Sequence, residues 1–85
     1  MADVKLLNEN METIAKVNSN SFTGNYQNLQ IDFCCCNIDV DKIKFVICNL
    51  FEENIYKVKL LHKFYINGES CCQLSMVNTY EDYKK

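Results

Sequence analysis

The sequence predicts an α+β domain: a four-stranded antiparallel sheet laid out as β-hairpin, helix, β-hairpin, with one main helix packed on one face. Three observations carry this expectation. Residues 55 to 66 place Tyr56, Val58, Leu60, His62, Phe64 and Ile66 on one parity, and Ile55, Lys57, Lys59, Leu61, Lys63 and Tyr65 on the other. Such alternation is the period of a strand with one wet face. Asn67-Gly68 follows at once, the strongest short-range hairpin signal, and Cys71 to Val77 supplies the returning strand. Between residues 37 and 54 the period changes, because Val40, Ile43, Ile47, Leu50 and Phe51 recur at the spacing of one helical face.

Residues 3 to 9 read as one or two helical turns capped by Asp3, a short N-terminal helix. Val4, Leu7, Met11 and Ile14 would extend that face as far as Val17. A strand from Met11 onward is preferred, because Met11 to Phe22, the tip Thr23-Gly24-Asn25 and Tyr26 to Cys36 make a hairpin. A three-residue loop there pairs Val17 with Ile31, Ala15 with Phe33 and Thr13 with Cys35. The other face then pairs Lys16 with Asp32, Asn18 with Gln30 and Phe22 with Tyr26. One register thus gathers apolar partners on one side and a charge pair on the other.

Asp39 is the natural N-cap of the main helix, Asp41 lies where the macrodipole favours negative charge, and Asn54 suits the stop. The helix runs to about 13 residues. In the last hairpin, a turn over Ile66-Asn67-Gly68 pairs Val58 with Met76, Leu60 with Leu74 and His62 with Cys72 beneath that helix. Residues 80 to 85 read as a polar tail.

Eighty-five residues suit a single small domain spanning 1–85, with one core. A hydrophobic share of 48% against 24% charged excludes a disordered chain. There is no apolar run of membrane-spanning length, and Met1-Ala-Asp-Val-Lys5 lacks the pattern of a secretory signal. A cytoplasmic protein without a membrane partner is expected. The net charge of −2 is too weak for a general nucleic-acid binder or mimic. All nine basic residues are lysine, which argues against a phosphoryl-handling site built on the arginine fork. Abundant Asn, Lys and Ile, with no Pro, Trp or Arg, is the coding style of an AT-rich genome and fits a phage or mobile element.

Six cysteines arrive as Cys34-Cys35-Cys36, Cys48 and Cys71-Cys72. Adjacent cysteines on a strand point to opposite faces, so they read as reduced, buried thiols and not as a disulfide framework. His62, the single histidine, sits on the apolar parity opposite Cys72. A zinc site would need four tetrahedral ligands, with Cys34, Cys36 or Cys48 contributing, and no Cys-x-x-Cys spacing supports one. A His62–cysteine dyad would lack its orienting group. The carboxylate pairs Asp39/Asp41, Glu52/Glu53 and Glu81/Asp82 fall at helix ends or in the tail, and both glycines serve turns. No catalytic residue, metal or cofactor is expected.

The unusual surface is the stripe Lys57, Lys59, Leu61, Lys63 and Tyr65, with no acid between Ile55 and Asn67. A solvated sheet face accounts for the lysines but not for Leu61 and Tyr65, so these five are the expected partner-binding residues. The expected function is non-enzymatic: binding and inhibiting a larger host protein or protein complex. In its most specific form the protein is a phage-encoded inhibitor of a host defence enzyme, of the anti-CRISPR type. Open sheet edges also suit a homodimer. The alternative is a single-stranded nucleic-acid or nucleotide module using the lysine-rich face.

Overall fold

Extended backbone dominates the structure, a computed structural model that describes residues 2–19, 21–35, 37–49 and 54–79. The strands are β1 (Ala2–Leu7), β2 (Thr13–Ser19), β3 (Ser21–Gly24), β4 (Asn28–Cys34), β5 (Phe45–Cys48), β6 (Asn54–Ile66) and β7 (Glu69–Asn78). They form one sheet in the order β2-β1-β5-β6-β7-β4-β3, every pairing antiparallel.

That order has a geometric consequence. Strands lie ~4.8 Å apart, so a flat sheet of seven would hold its edge strands roughly 29 Å apart. Yet the edges are β2 and β3, and one residue separates Ser19 from Ser21. Two residues reach about 7 Å at most. The sheet therefore curls until its edges meet, with β2 running on into β3 as one path around a barrel. Buried Ser19 ties this seam: its Oγ lies 2.9 Å from the Ser21 carbonyl oxygen and 3.0 Å from that of Asp32, and shares its proton between them.

Alternate residues fill the barrel: Val4 and Leu6, Leu29, Ile31 and Phe33, Val46 and Cys48, Tyr56, and Cys72, Leu74 and Met76. Most of their neighbours in sequence face outward, though Leu7 beside Leu6 and Cys71 beside Cys72 are buried as well. Because β4 and β5 are not adjacent, the chain between them crosses an end of the barrel. Cys35, Val40 and Ile43 are buried along that crossing and close the end.

The fold is thus all-β, and the expected α+β domain with a four-stranded sheet is corrected. No α-helix occurs among the described residues, and the one helical feature is a single 3-10 turn, Val40–Lys42. Asp39 makes no side-chain capping bond there. Where the main helix was expected, Phe45–Cys48 instead extends as a strand paired on both sides, with β1 and β6. Spacing that suits a helical face also suits a strand when β-branched and aromatic residues supply it, and two neighbouring ladders decide the matter. Leu50 to Glu53 lie outside the described residues, as do Cys36 and residues 80–85.

The short N-terminal helix is replaced by β1, in which Asp3 and Lys5 face out while Val4 and Leu6 are buried. The first hairpin changes partners. β2 pairs with β1, setting Val17 against Val4 and Ala15 against Leu6, and Lys16 faces Lys5 instead of Asp32. β4 pairs with β3, placing Phe22 opposite Ile31 and Gly24 opposite Leu29. Both arrangements match apolar with apolar, so side-chain pattern alone does not separate them.

Candidate functional site

The β6–β7 hairpin forms an arm whose geometry starts at its tip. Asn67 (φ 50°) and Gly68 (φ 84°) are both left-handed, giving the two-residue type I′ turn that Asn-Gly favours. Ile66 therefore faces Glu69, and the ladder runs back in step to Leu60 opposite Ser75. At the base, however, Val58 faces Met76. Lys59 is the odd residue between these two registers, a β-bulge. The expected three-residue turn gives the base pairing correctly and is one residue out along the arm.

The bulge exchanges the faces of β6. Below it Tyr56 and Val58 point inward. Above it Leu61, opposite Leu74, and Lys63, opposite Cys72, take the inner side, while Leu60, His62, Phe64 and Ile66 turn outward. The five expected contact residues consequently do not share a face. Lys57 is exposed on the outer side of the base, and Lys59 is exposed in the bulge. Leu61 is half-buried against the core. Lys63 Nζ lies 3.5 Å from Asp41 Oδ1 of the 3-10 turn. Tyr65, 76% exposed, stands on the inner side of the tip.

In place of the lysine stripe, the outer side of the arm carries an apolar and aromatic one. Leu60 is 71% and Ile66 54% exposed. Between them the rings of His62 and Phe64 stack, centroids 5.9 Å apart and 18° from parallel. His62 faces Gln73 and not Cys72. At the foot of this stripe lies a shallow trough of about 300 Å³, lined by Thr23, Gly24, Gln30, Lys59, Leu60 and Ser75. A second concavity, about 480 Å³, lies at β2, β1 and β5 and is lined by Asp3, Lys5, Lys16, Asn18, Ile47 and Asn49. Leu60 and Ile66 escape a parity argument; the signal that exposes them is the Asn-Gly dipeptide, which selects a two-residue loop at odds with the expected pairing.

Thiol chemistry is muted. Cys34, Cys35, Cys48, Cys71 and Cys72 are thiols outside any disulfide, and of these only Cys34 is exposed. Its Sγ lies 3.5 Å from Glu69 Oε2, and the hydrogen bond to that carboxylate, helped by desolvation, pushes the thiol up to about 11. Burial does the same for Cys72, also to about 11. A protonated thiol is a poor nucleophile. In a Cys36→Ser background, iodoacetamide at pH 8 should therefore alkylate Cys34 slowly, and Glu69→Gln should speed the reaction about tenfold or more. Equal rates would show that Glu69 does not hold the proton.

No group of three or more His, Cys, Asp and Glu side chains among the described residues is placed to hold a metal ion. No helix among them is long and apolar enough to cross a membrane. Comparison with protein-family models, with curated proteins and with solved structures finds no match.

Proposed function

We propose that the protein is a non-enzymatic binding module that docks onto a larger protein through the β6–β7 arm and inhibits it by occupying that surface. The observation that carries this reading is the outer stripe Leu60, His62, Phe64 and Ile66, with Tyr65 at the tip. Each large apolar side chain left in water forgoes about 1.5–3 kcal/mol of burial. Several together on a projecting hairpin mark a contact surface, and a stacked ring pair is a stiff anchor for it. A phage-encoded inhibitor of a host defence enzyme is this reading in its most specific form. Thiols outside any disulfide accord with a reducing, cytoplasmic setting. A nucleic-acid reading has less to stand on, because Lys57 and Lys63 now lie on opposite sides of β6.

Affinity capture from a host lysate should yield one stoichiometric protein with the wild-type chain. The yield should fall about tenfold or more with Leu60→Glu/Ile66→Glu, and persist with Lys16→Glu on the far wall of the barrel. Both arm residues are exposed, so the double variant should melt like the wild type. Capture undiminished by the arm substitutions would overturn the reading.

A further inference from the structure

The arm outruns the sheet beside it. β5 pairs with β6 only from Asn54 to Lys57, and the last bond on that side runs from the Val58 N–H to the Lys44 carbonyl oxygen, 3.0 Å. From Lys59 to Ile66, no strand among the described residues lies against β6 on the side away from β7. The direction of the main-chain groups there follows from the turn. Ile66 and Glu69 flank a two-residue loop and bond to each other, so Phe64, His62 and Leu60 also direct their N–H and C=O toward β7. Leu61, Lys63 and Tyr65 direct theirs outward. β7 agrees: the carbonyl of Ser70, opposite Tyr65, accepts from the Cys35 N–H on the far side, 3.1 Å.

We infer that this edge receives an extended, acidic segment of the partner protein as an added strand in line with β5. The inference rests on the docking reading above and names its mode. A row of evenly spaced donors and acceptors is matched by another strand and by little else. The slot beside residues 59–66 takes about eight residues, ~26 Å of strand. Its charge is mainly positive. Lys59 and Lys63 lie along it, Lys44 and Lys57 stand at its inner end, no acid occurs in β6 from Ile55 to Ile66, and the nearby acid Asp41 is paired with Lys63. The pair Lys63–Asp41 is well exposed at both ends, and surface pairs of this kind yield readily to another carboxylate. A second copy suits the slot poorly, because antiparallel self-pairing gathers both sets of lysines along one seam, where like charges destabilise.

Lysines and a bulge also serve to keep edges unpaired, and amide exchange separates the two roles. In the purified chain the amides of Leu61, Lys63 and Tyr65 should exchange quickly. The octapeptide acetyl-(Glu-Val)4-amide at millimolar concentration should slow them about tenfold or more. Acetyl-(Lys-Val)4-amide should not. Lys59→Glu/Lys63→Glu should reverse that preference, and Lys63→Pro should abolish slowing by the acidic peptide while β7 amides stay protected. Three results would each overturn the inference: slow exchange in the free chain that strengthens with protein concentration, which marks a second copy; slowing by single-stranded oligonucleotide and not by peptide; or no slowing by the acidic peptide. The capture experiment with the Leu60/Ile66 variant is independent of all three, so the docking surface can stand where strand addition fails.

Discussion

Alanine at Gly24 should lower the melting temperature by about 15 °C, and the same change at Gly68 by about 5 °C. Both glycines have positive φ, but their surroundings differ. At Gly24 (φ +108°) an added Cβ would overlap the carbonyl oxygen of Asn28. That carbonyl cannot step aside. It accepts the Asn25 N–H at 2.8 Å, and Asn25 Oδ1 accepts the N–H groups of Gln27 and Asn28, each at 3.0 Å. The clash therefore falls on the turn that joins β3 to β4, and so on the closure of the barrel. At Gly68 (φ +84°) no atom lies within 4 Å of the added carbon, so only the backbone conformation is penalised. Thermal unfolding followed by circular dichroism checks both values; equal shifts would mean that the β3–β4 turn is not closed as described.

Tyr56→Ala should cost about 4 kcal/mol, much of the stability of a chain this size. The ring is buried where β5, β6 and β7 meet, between Val46 and Asn78, and its hydroxyl donates to the Tyr26 carbonyl at 3.0 Å. Tyr56→Phe should cost only about 1 kcal/mol, because Asn78 Nδ2 still donates to that carbonyl, 3.1 Å away. The two variants also differ from wild type in alkali. Burial, helped by nearby Cys48, raises Tyr56 above its ordinary 10.0, and burial raises Cys72 from 9.0 to about 11. Folding thus favours the protonated form of each. The unfolded chain releases these protons first, so their contribution is complete below the unfolded values and is lost as pH rises toward the folded ones. Urea midpoints should fall above pH 9, less steeply in Cys72→Val, and above pH 10 less steeply in Tyr56→Phe.

How far the residues announce this structure depends on where one looks. The strand 55–66, the Asn-Gly turn and the pairing of Val58 with Met76 are all readable, because alternation and turn chemistry are local. The bulge at Lys59 is not, since it reconciles two local preferences in conflict: parity favours a three-residue loop, and Asn-Gly favours two. That one residue moves Leu60 and Ile66 to the outside and splits the lysine stripe. The partner of β2 is hidden for another reason. Val17 finds an equally apolar neighbour in Val4 or in Ile31, and only barrel closure selects Val4. Phe45–Cys48 likewise becomes a strand because two ladders are waiting for it.

The placing of β2 and β3, one residue apart in sequence, at the two edges of the sheet bears on how the chain assembles. The ladders Val4 with Cys48 and Asn28 with Val77 join distant parts of the chain, and neither circle of strands nor sealed interior exists until both have formed. The β6–β7 hairpin is the natural place to begin, being the longest local pairing. The β1–β2, β3–β4 and β5–β6 pairings are local as well, but the two distant ladders demand closing large loops before burial rewards them, so closure of the barrel is the slow, late step for a chain of this length.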